Sequence, residues 1–275
     1  MAKPAQRWTE EKIERLRTAG CGQGIGREYK PWLTVRTVKS IGTSNRLHGR
    51  ITGRTHHFLS NIERNAFLIY DWSDAVRDIR EQFPLDRTAT TAITDAMGIA
   101  HPRYRGTDVA VVLTTDILLD VIVDGAPVKV ARAMKPADKL SGRRTLEKLE
   151  IERRYWAAQG VDWGLVTERD LPPTLVRNLD WLAGPWAREA WVDGDAERIA
   201  RLEAELASCG GVPLGEFCAT MDQRLAMAGG TALSLVRRLL GTKRWSADLA
   251  LSLGDFDRPM TDYRIVSRAP RRASA

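Results

Sequence analysis

Cysteine and histidine are scarce in this chain, and so are long apolar runs. It holds three cysteines and four histidines in 275 residues. Cys21, Cys209 and Cys218 form no CxxC pair, and no histidine lies near Cys209 or Cys218. A zinc framework of ordinary spacing and a disulfide-stapled fold are thereby excluded, and reduced thiols are expected. No stretch approaches the roughly 18 apolar residues of a membrane span, and no signal-peptide pattern opens the chain. A cytoplasmic location without a membrane partner is the expectation. The glycine-rich stretch GCGQGIG, with Gly22, Gly24 and Gly26, has no strand before it and no GK[ST] after it. A nucleotide-binding reading is therefore weak. The stretch reads as a flexible connector lying near phosphate. No internal repeat is present.

What is there suits a soluble, two-domain, basic protein. A mass of 30.7 kDa leaves room for two cores, and 43% hydrophobic with 28% charged residues is an ordinary globular composition. The net charge of +7 and pI of about 9.5 favour a polyanionic partner, with DNA suggested.

The chain opens with RWTEEKIERLRTAG, a helix capped by Thr9 and stopped at Gly20. WLTVRTV and RLHGRITGRTHHF read as β-rich or irregular. LSNIERNAFLIYDWSD turns helical after the N-cap Ser60, with Ile62, Ala66, Phe67 and Tyr70 on one face. VRDIREQFPL reads as a short strand ended by Pro84, and TATTAITDAMGIAHPRYRG as a small helix and a loop. VAVVLTTDILLDVIV and APVKVARAMK form a hairpin about an Asp-Gly turn. SGRRTLEKLEIERRYWAAQG is a long helix with Leu146, Leu149, Ile151, Tyr155 and Trp156 expected inside, and VDWGLVTERD is a last strand. The order helix, three strands, helix, strand describes an α/β unit with a mixed sheet. Pro172 and Pro173 mark a boundary between residues 1–171 and 172–275. Beyond it LVRNLDWLAGPW and DAERIARLEAELASCGG read as helices. Two more helices flank a Gly-Gly break, fitting a helix-turn-helix with SLGD and YRIV as a wing. The tail SRAPRRASA reads as disordered.

Three residues carry the pattern of phosphodiester hydrolysis: Glu63 on the first core helix, Asp116 on one hairpin strand and Lys135 at the end of the next. Two carboxylates suit Mg²⁺, which stabilises charge on phosphate and lowers the pKa of an attacking water. A lysine beside them orients or deprotonates that water. Each also has a plainer reading. Glu63 completes an S-x-x-E capping box with Ser60, Asp116 ends a strand edge, and Lys135 is solvated before a turn. Other basic and aromatic groups carry less weight. His56 and His57 could touch phosphate, although a histidine pair in such a loop is more often structural or exposed. Arg143, Arg144 and Lys148 suit either a DNA backbone or a solvated helix face. In the second half Trp181, Trp186 and Trp191 suggest packing, and Arg237, Arg238, Lys243 and Arg244 lie on or just past a candidate recognition helix.

The blocks GIGREYKPWLTVR, GRTHHFLSNIERNAFLIYDW, DIREQFPL, GIAHPR, TTDILLD, MKPA and RRTLEKLEIERRYWAAQG resemble the TnsA family of transposon endonucleases. The likeness is dense over roughly the first 170 residues and one of layout beyond. It implies a restriction-endonuclease-like catalytic domain over 1–171 and a winged-helix-like DNA- or partner-binding domain over 172–275. It also implies metal-dependent nicking of the 5′ ends of a transposon, while a separate transposase cuts and joins the 3′ ends. Transposon-end DNA, that transposase and an ATP-dependent transposition regulator are the implied partners. The family's catalytic glutamate, aspartate and lysine fall on Glu63, Asp116 and Lys135.

The sequence departs from the pattern at Ala133, where an acid or glutamine is expected on the face shared with Lys135. Two arrangements stay open. In one, Mg²⁺ (or Mn²⁺) is held by Glu63, Asp116, water and the main-chain carbonyl of Met134. In the other, Glu152 reaches in from the following helix. The first is favoured because water readily fills Mg²⁺ sites. A weakly active or inactive adaptor, bridging transposase and regulator on DNA, is the competing reading.

Overall fold

The computed structural model describes residues 8–37, 45–183 and 194–266. Trp186, Trp191 and the tail from Ser267 to Ala275 lie outside the described residues. The chain divides into two compact units, Met1–Leu171 and Pro172–Ala275.

The first unit is a mixed α/β structure. Helix α1 (Glu10–Thr18) starts where the Thr9 hydroxyl accepts the Lys12 N–H at 3.2 Å. A small antiparallel pair, β1 (Asn45–His48) and β2 (Thr55–Phe58), leads into α2 (Asn61–Trp72). The central sheet follows: β3 (Val76–Pro84), β4 (Thr114–Val123), β5 (Ala126–Met134) and β6 (Asp162–Val166), in the order β3-β4-β5-β6. Helix α3 (Arg87–Ala96) lies between β3 and β4 in the chain. Strands β3, β4 and β5 run antiparallel, and β6 joins β5 in parallel after a crossover through α4 (Arg143–Ala157). The hairpin turns on Asp124 (φ +50°) and Gly125 (φ +81°), the left-handed pair that matches the twist of a two-residue turn. Leu85, Leu118, Ala131 and Trp156 form the core between sheet and α4.

Several expectations need correcting. Residues 109–113 are not strand; β4 begins at Thr114. Leu146, in the first turn of α4, is 50% exposed, while the buried stripe runs through Leu149, Glu152 and Trp156. The glycine-rich stretch is pinned rather than flexible. A Cβ on Gly22 (φ +80°) would lie 2.2 Å from the ring of Pro84. Asp78 accepts the Gly26 N–H at 3.1 Å, and the Tyr29 hydroxyl donates to the Glu81 carbonyl at 3.1 Å. The connector is thus laid along β3.

Glu81 organises the face of the sheet next to β2. It is fully buried, and its carboxylate accepts from Arg54 Nη1 at 2.8 Å and the His57 N–H at 3.1 Å, with His56 Nδ1 at 2.8 Å. Burial by itself would raise its pKa; His56 and Arg54 more than offset this and bring it down to about 2.

The second unit is helical: α5 (Pro173–Leu182), α6 (Asp195–Leu206), α7 (Leu214–Arg224) and α8 (Thr231–Gly241). The carboxylate of Asp222 accepts the Gly230 and Ala232 N–H groups at 2.6 and 2.8 Å, so α7 caps α8. The expected wing is different from its reading. Trp245–Ser246 (β7) pairs antiparallel with Arg264–Ile265 (β8), and SLGD lies in the connection between them, outside both strands.

Replacing Glu81 by glutamine leaves Arg54 buried without its counter-charge, at an expected cost of about 3–5 kcal/mol at pH 7. A depressed carboxylate stabilises the native state above its unfolded pKa of roughly 4.3, and that contribution fades as pH falls toward about 2. Urea unfolding at pH 7, 4 and 3 should therefore show the gap between wild type and Glu81→Gln narrowing with acid. A gap of constant size would contradict the assignment.

Candidate active site

Asp116 lies near the start of β4, a central strand, and so has a neighbour on each side. The pairs Glu81↔Ile117 and Phe83↔Thr115 put Gln82 of β3 opposite it. On the other flank, the pair Ile117↔Arg132, continued by one residue, puts Ala133 opposite it. Asp116 Oδ2 accepts the Met134 N–H at 2.7 Å and Lys135 Nζ at 3.2 Å. Lys135 Nζ also donates to the Met134 carbonyl at 2.8 Å. The negative charge of Asp116 pushes the Lys135 pKa upward against the opposing effect of burial, so Lys135 rests as an ammonium.

Glu63 enters from the first turn of α2. The Ser60 cap forms, but not as a full capping box, because the Glu63 carboxylate takes the Ser60 hydroxyl and the Leu59 N–H rather than the Ser60 N–H. The Ser60 hydroxyl accepts the Glu63 N–H at 3.2 Å and donates to Glu63 Oε1 at 2.8 Å, and Oε2 accepts the Leu59 N–H at 3.0 Å. The cap thus orients the carboxylate as well as starting the helix. The Gln82 amide nitrogen donates to Glu63 Oε2 at 3.2 Å and to Asp116 Oδ1 at 3.4 Å, so both carboxylates converge on a single atom. Burial, and then the charge of Asp116, raise the pKa of Glu63 to about 7.

Glu152 closes the same region. It lines a cleft of about 240 Å³ together with Asp116, Lys135, Lys148 and the apolar Leu33, Tyr104 and Val112. Its Oε1 is buried with no hydrogen-bond partner. Burial and the charge of Asp116 lift its pKa to about 8, against smaller opposing effects of Thr115, Trp163 and Lys135. Lys148 is lowered by burial and by Arg144 and Lys135. Met134 is buried, and its carbonyl is turned to Lys135.

Other sequence candidates fall elsewhere. His56 is wholly buried between Glu81 and the Thr52 hydroxyl, 2.7 Å from its Nε2, and is a core histidine. Arg143 and Arg144 both pair with Glu147. In the second unit Arg238 is buried 3.8 Å from Asp195, Arg244 pairs with Glu203, and Arg237 stacks over Trp181 while donating to its carbonyl. Helix α8 buries Leu235, Val236, Leu239 and Leu240 and is a core helix of that unit rather than a free recognition surface. Sequence reasoning missed Gln82. A glutamine in a strand announces nothing until the register sets it across from Asp116.

Residues 73–168 match the family described as TnsA-like endonuclease N terminal, and residues 170–249 match TnsA endonuclease C terminal. The Transposon Tn7 transposition protein TnsA of Escherichia coli is 39% identical over 242 residues, covering 87% of this chain and 86% of that protein. The chain belongs to the TnsA-like endonuclease family. Asp116, Lys135 and Glu152 fall within the N-terminal match; Glu63 lies ahead of it and is joined to Asp116 through Gln82. None of the described helices is long and apolar enough to cross a membrane.

The donor set suits a hard cation only in part. Among the described residues no three His, Cys, Asp or Glu side chains are arranged to hold a metal. Two carboxylate oxygens do face one point, and Mg²⁺ needs few protein ligands because it keeps several waters.

The Glu152 carboxyl provides a test without any substrate. A carboxyl whose folded pKa is raised stabilises the native state fully below its unfolded pKa of roughly 4.3 and loses that contribution as pH rises through about 8. In the presence of a chelator, Glu152→Gln should match wild type near pH 4 and exceed it by a few kcal/mol at pH 8–9. Parallel denaturant titrations with equal pH slopes would refute this.

Proposed function

We propose that the protein is a Mg²⁺-dependent DNA endonuclease that nicks the 5′ ends of a transposon during cut-and-paste transposition. A separate transposase would cut and join the 3′ ends. The convergence of Glu63 and Asp116 on one atom, with Lys135 bonded to Asp116, carries this reading. Family membership and the basic net charge support it.

In this scheme Glu63 and Asp116 hold Mg²⁺, with the Met134 carbonyl and water; Mn²⁺ substitutes. When bound, the cation supplies charge stabilisation at the scissile phosphate and a lowered pKa for the attacking water. The chain's own part is positional. Lys135, held as an ammonium by Asp116, orients the nucleophile and offsets phosphate charge. The Met134 N–H fixes the rotamer of Asp116, and the Ser60 cap fixes that of Glu63. Residues 1–171 form the catalytic domain, of restriction-endonuclease-like design. Residues 172–275 form a winged-helix-like domain that binds DNA or a partner, either the transposase or an ATP-dependent regulator. With Arg237, Arg238 and Arg244 engaged inside that unit, a protein partner suits it better than base reading by α8.

One observation favours a second reading, a DNA-binding adaptor without nuclease activity: the fully buried methyl of Ala133 stands opposite Asp116 in place of a liganding side chain. The two readings separate in one assay. With cognate transposase, end DNA and Mg²⁺, the wild-type protein is expected to nick the 5′ side. Lys135→Ala should reduce that nick by at least 10²-fold while the partner's 3′ cut persists. Equal 5′ nicking by wild type and Lys135→Ala would reject the catalytic assignment, and its absence from both would favour the adaptor.

A further inference from the structure

Gln82 is the least conventional residue of the sheet. It is 2% exposed although it sits on β3, an edge strand of the central sheet, and it has φ of +49°, a left-handed value that side-chain-bearing residues rarely adopt. Such strain persists only where surrounding bonds over-determine it, and it collects at functional sites. Here the bonds are visible. The Gln82 carbonyl accepts the Trp32 N–H at 3.2 Å, its amide nitrogen donates to Glu63 and Asp116, and its amide oxygen accepts from the Thr114 hydroxyl at 3.2 Å.

We propose that Gln82 is a reversible member of the metal site, supplying the neutral side-chain oxygen that Ala133 lacks; this rests on the metal-dependent reading above. Without metal, two carboxylates around one space repel each other, and the amide NH₂ is the group that can serve both as donor. With a divalent cation between the carboxylates, the same NH₂ would face positive charge and be repelled. Turning the amide over removes that conflict by presenting Oε1 to the cation. The turn gives up the two donations to the carboxylates, which the cation would replace, but it can keep the bond to Thr114, because Thr114 carries a hydroxyl. Its oxygen, which now donates to Oε1, can accept from Nε2 after the turn. A pure acceptor or a pure donor at position 114 would not permit this exchange. Gln82 is also well placed for the task on topological grounds. It flanks Asp116 on β3, while Ala133 flanks it on β5, so the oxygen missing on one side is available from the other.

The alternative is a core glutamine that merely ties two strands to a helix, and metal titration without DNA separates the two. Mn²⁺ is titrated calorimetrically into the full-length protein and into Gln82→Leu, Gln82→Glu and Asp116→Asn, with folding of each checked by circular dichroism. Gln82→Leu should bind Mn²⁺ about 10–100-fold more weakly. Gln82→Glu, which keeps an oxygen and adds charge, should bind at least as tightly as wild type and gain more thermal stability on Mn²⁺ addition. In the unmodified protein, Mg²⁺ should shift the ¹⁵N-labelled side-chain NH₂ signals of Gln82 as they leave the carboxylates. Unchanged affinity in Gln82→Leu, weakened binding in Gln82→Glu, or NH₂ signals indifferent to Mg²⁺ would each overturn the proposal. Asp116→Asn tells which idea has failed. Binding that depends on Asp116 but ignores Gln82 rejects the amide alone, whereas no binding, or binding indifferent to Asp116, removes the metal-dependent reading and the amide with it.

Discussion

The site depends on one carboxylate placed in the middle of a sheet. Asp116 is held from both neighbouring strands: Gln82 reaches it from β3, and the Met134 N–H and Lys135 ammonium from the end of β5. Because the sheet order is β3-β4-β5-β6, no edge strand would allow this. Its side chain substitutes for a ladder acceptor, taking the Met134 N–H that would otherwise be unpaired as β4 and β5 diverge. The chemistry and the fold therefore share a bond. A change that loosens the hairpin would disturb Lys135 as surely as a change in Lys135 itself.

A second constraint works from the opposite face. Glu81 and Gln82 are neighbours on β3. The buried Glu81 draws β2 onto the strand through Arg54, His56 and the His57 N–H. Strand β2 leads directly into the Ser60 cap, and so into the turn that presents Glu63. A buried ion pair is weak grounds for net stability, since desolvation offsets most of its attraction. Its value lies in registry. It sets where α2 begins relative to β3, and that offset determines whether Glu63 Oε2 reaches the amide of Gln82.

Much of this was legible in the sequence. The Asp-Gly hairpin, the Ser60 cap, the mixed sheet and the convergence of Glu63, Asp116 and Lys135 follow from turn chemistry, periodicity and family likeness. The losses have physical causes. Leu146 was assigned to the core because its spacing from Leu149 is helical, but periodicity says nothing of where a helix overhangs its sheet. His56 was legible as more structural than chemical, but the reason was not: the buried carboxylate that holds it lies 25 residues away in the chain. The arginines near α8 looked like a phosphate-binding face, yet their partners Asp195 and Glu203 sit on α6, which only tertiary packing brings near. Gln82 was invisible for a related reason: its significance is a cross-strand relation.

The surplus of acid around the cleft gives the last step. Glu63 and Glu152 are both raised, chiefly by burial and then by the charge of Asp116, and Lys135 is the cation that opposes the charge of all three. A protein selecting only for stability would replace such acids with apolar groups of similar volume. Three carboxyls gather around Lys135, and Lys148 lines the same cleft, so charges of both signs are crowded together there. Near neutral pH Glu63 and Glu152 lower the repulsion among the carboxyls by holding protons, so added positive charge would be taken up with release of protons. On the metal-dependent reading proposed above, cation binding is therefore expected to tighten as pH rises through the range of about 7 to 8 in which these carboxyls lose their protons, a dependence that calorimetry at several pH values would show.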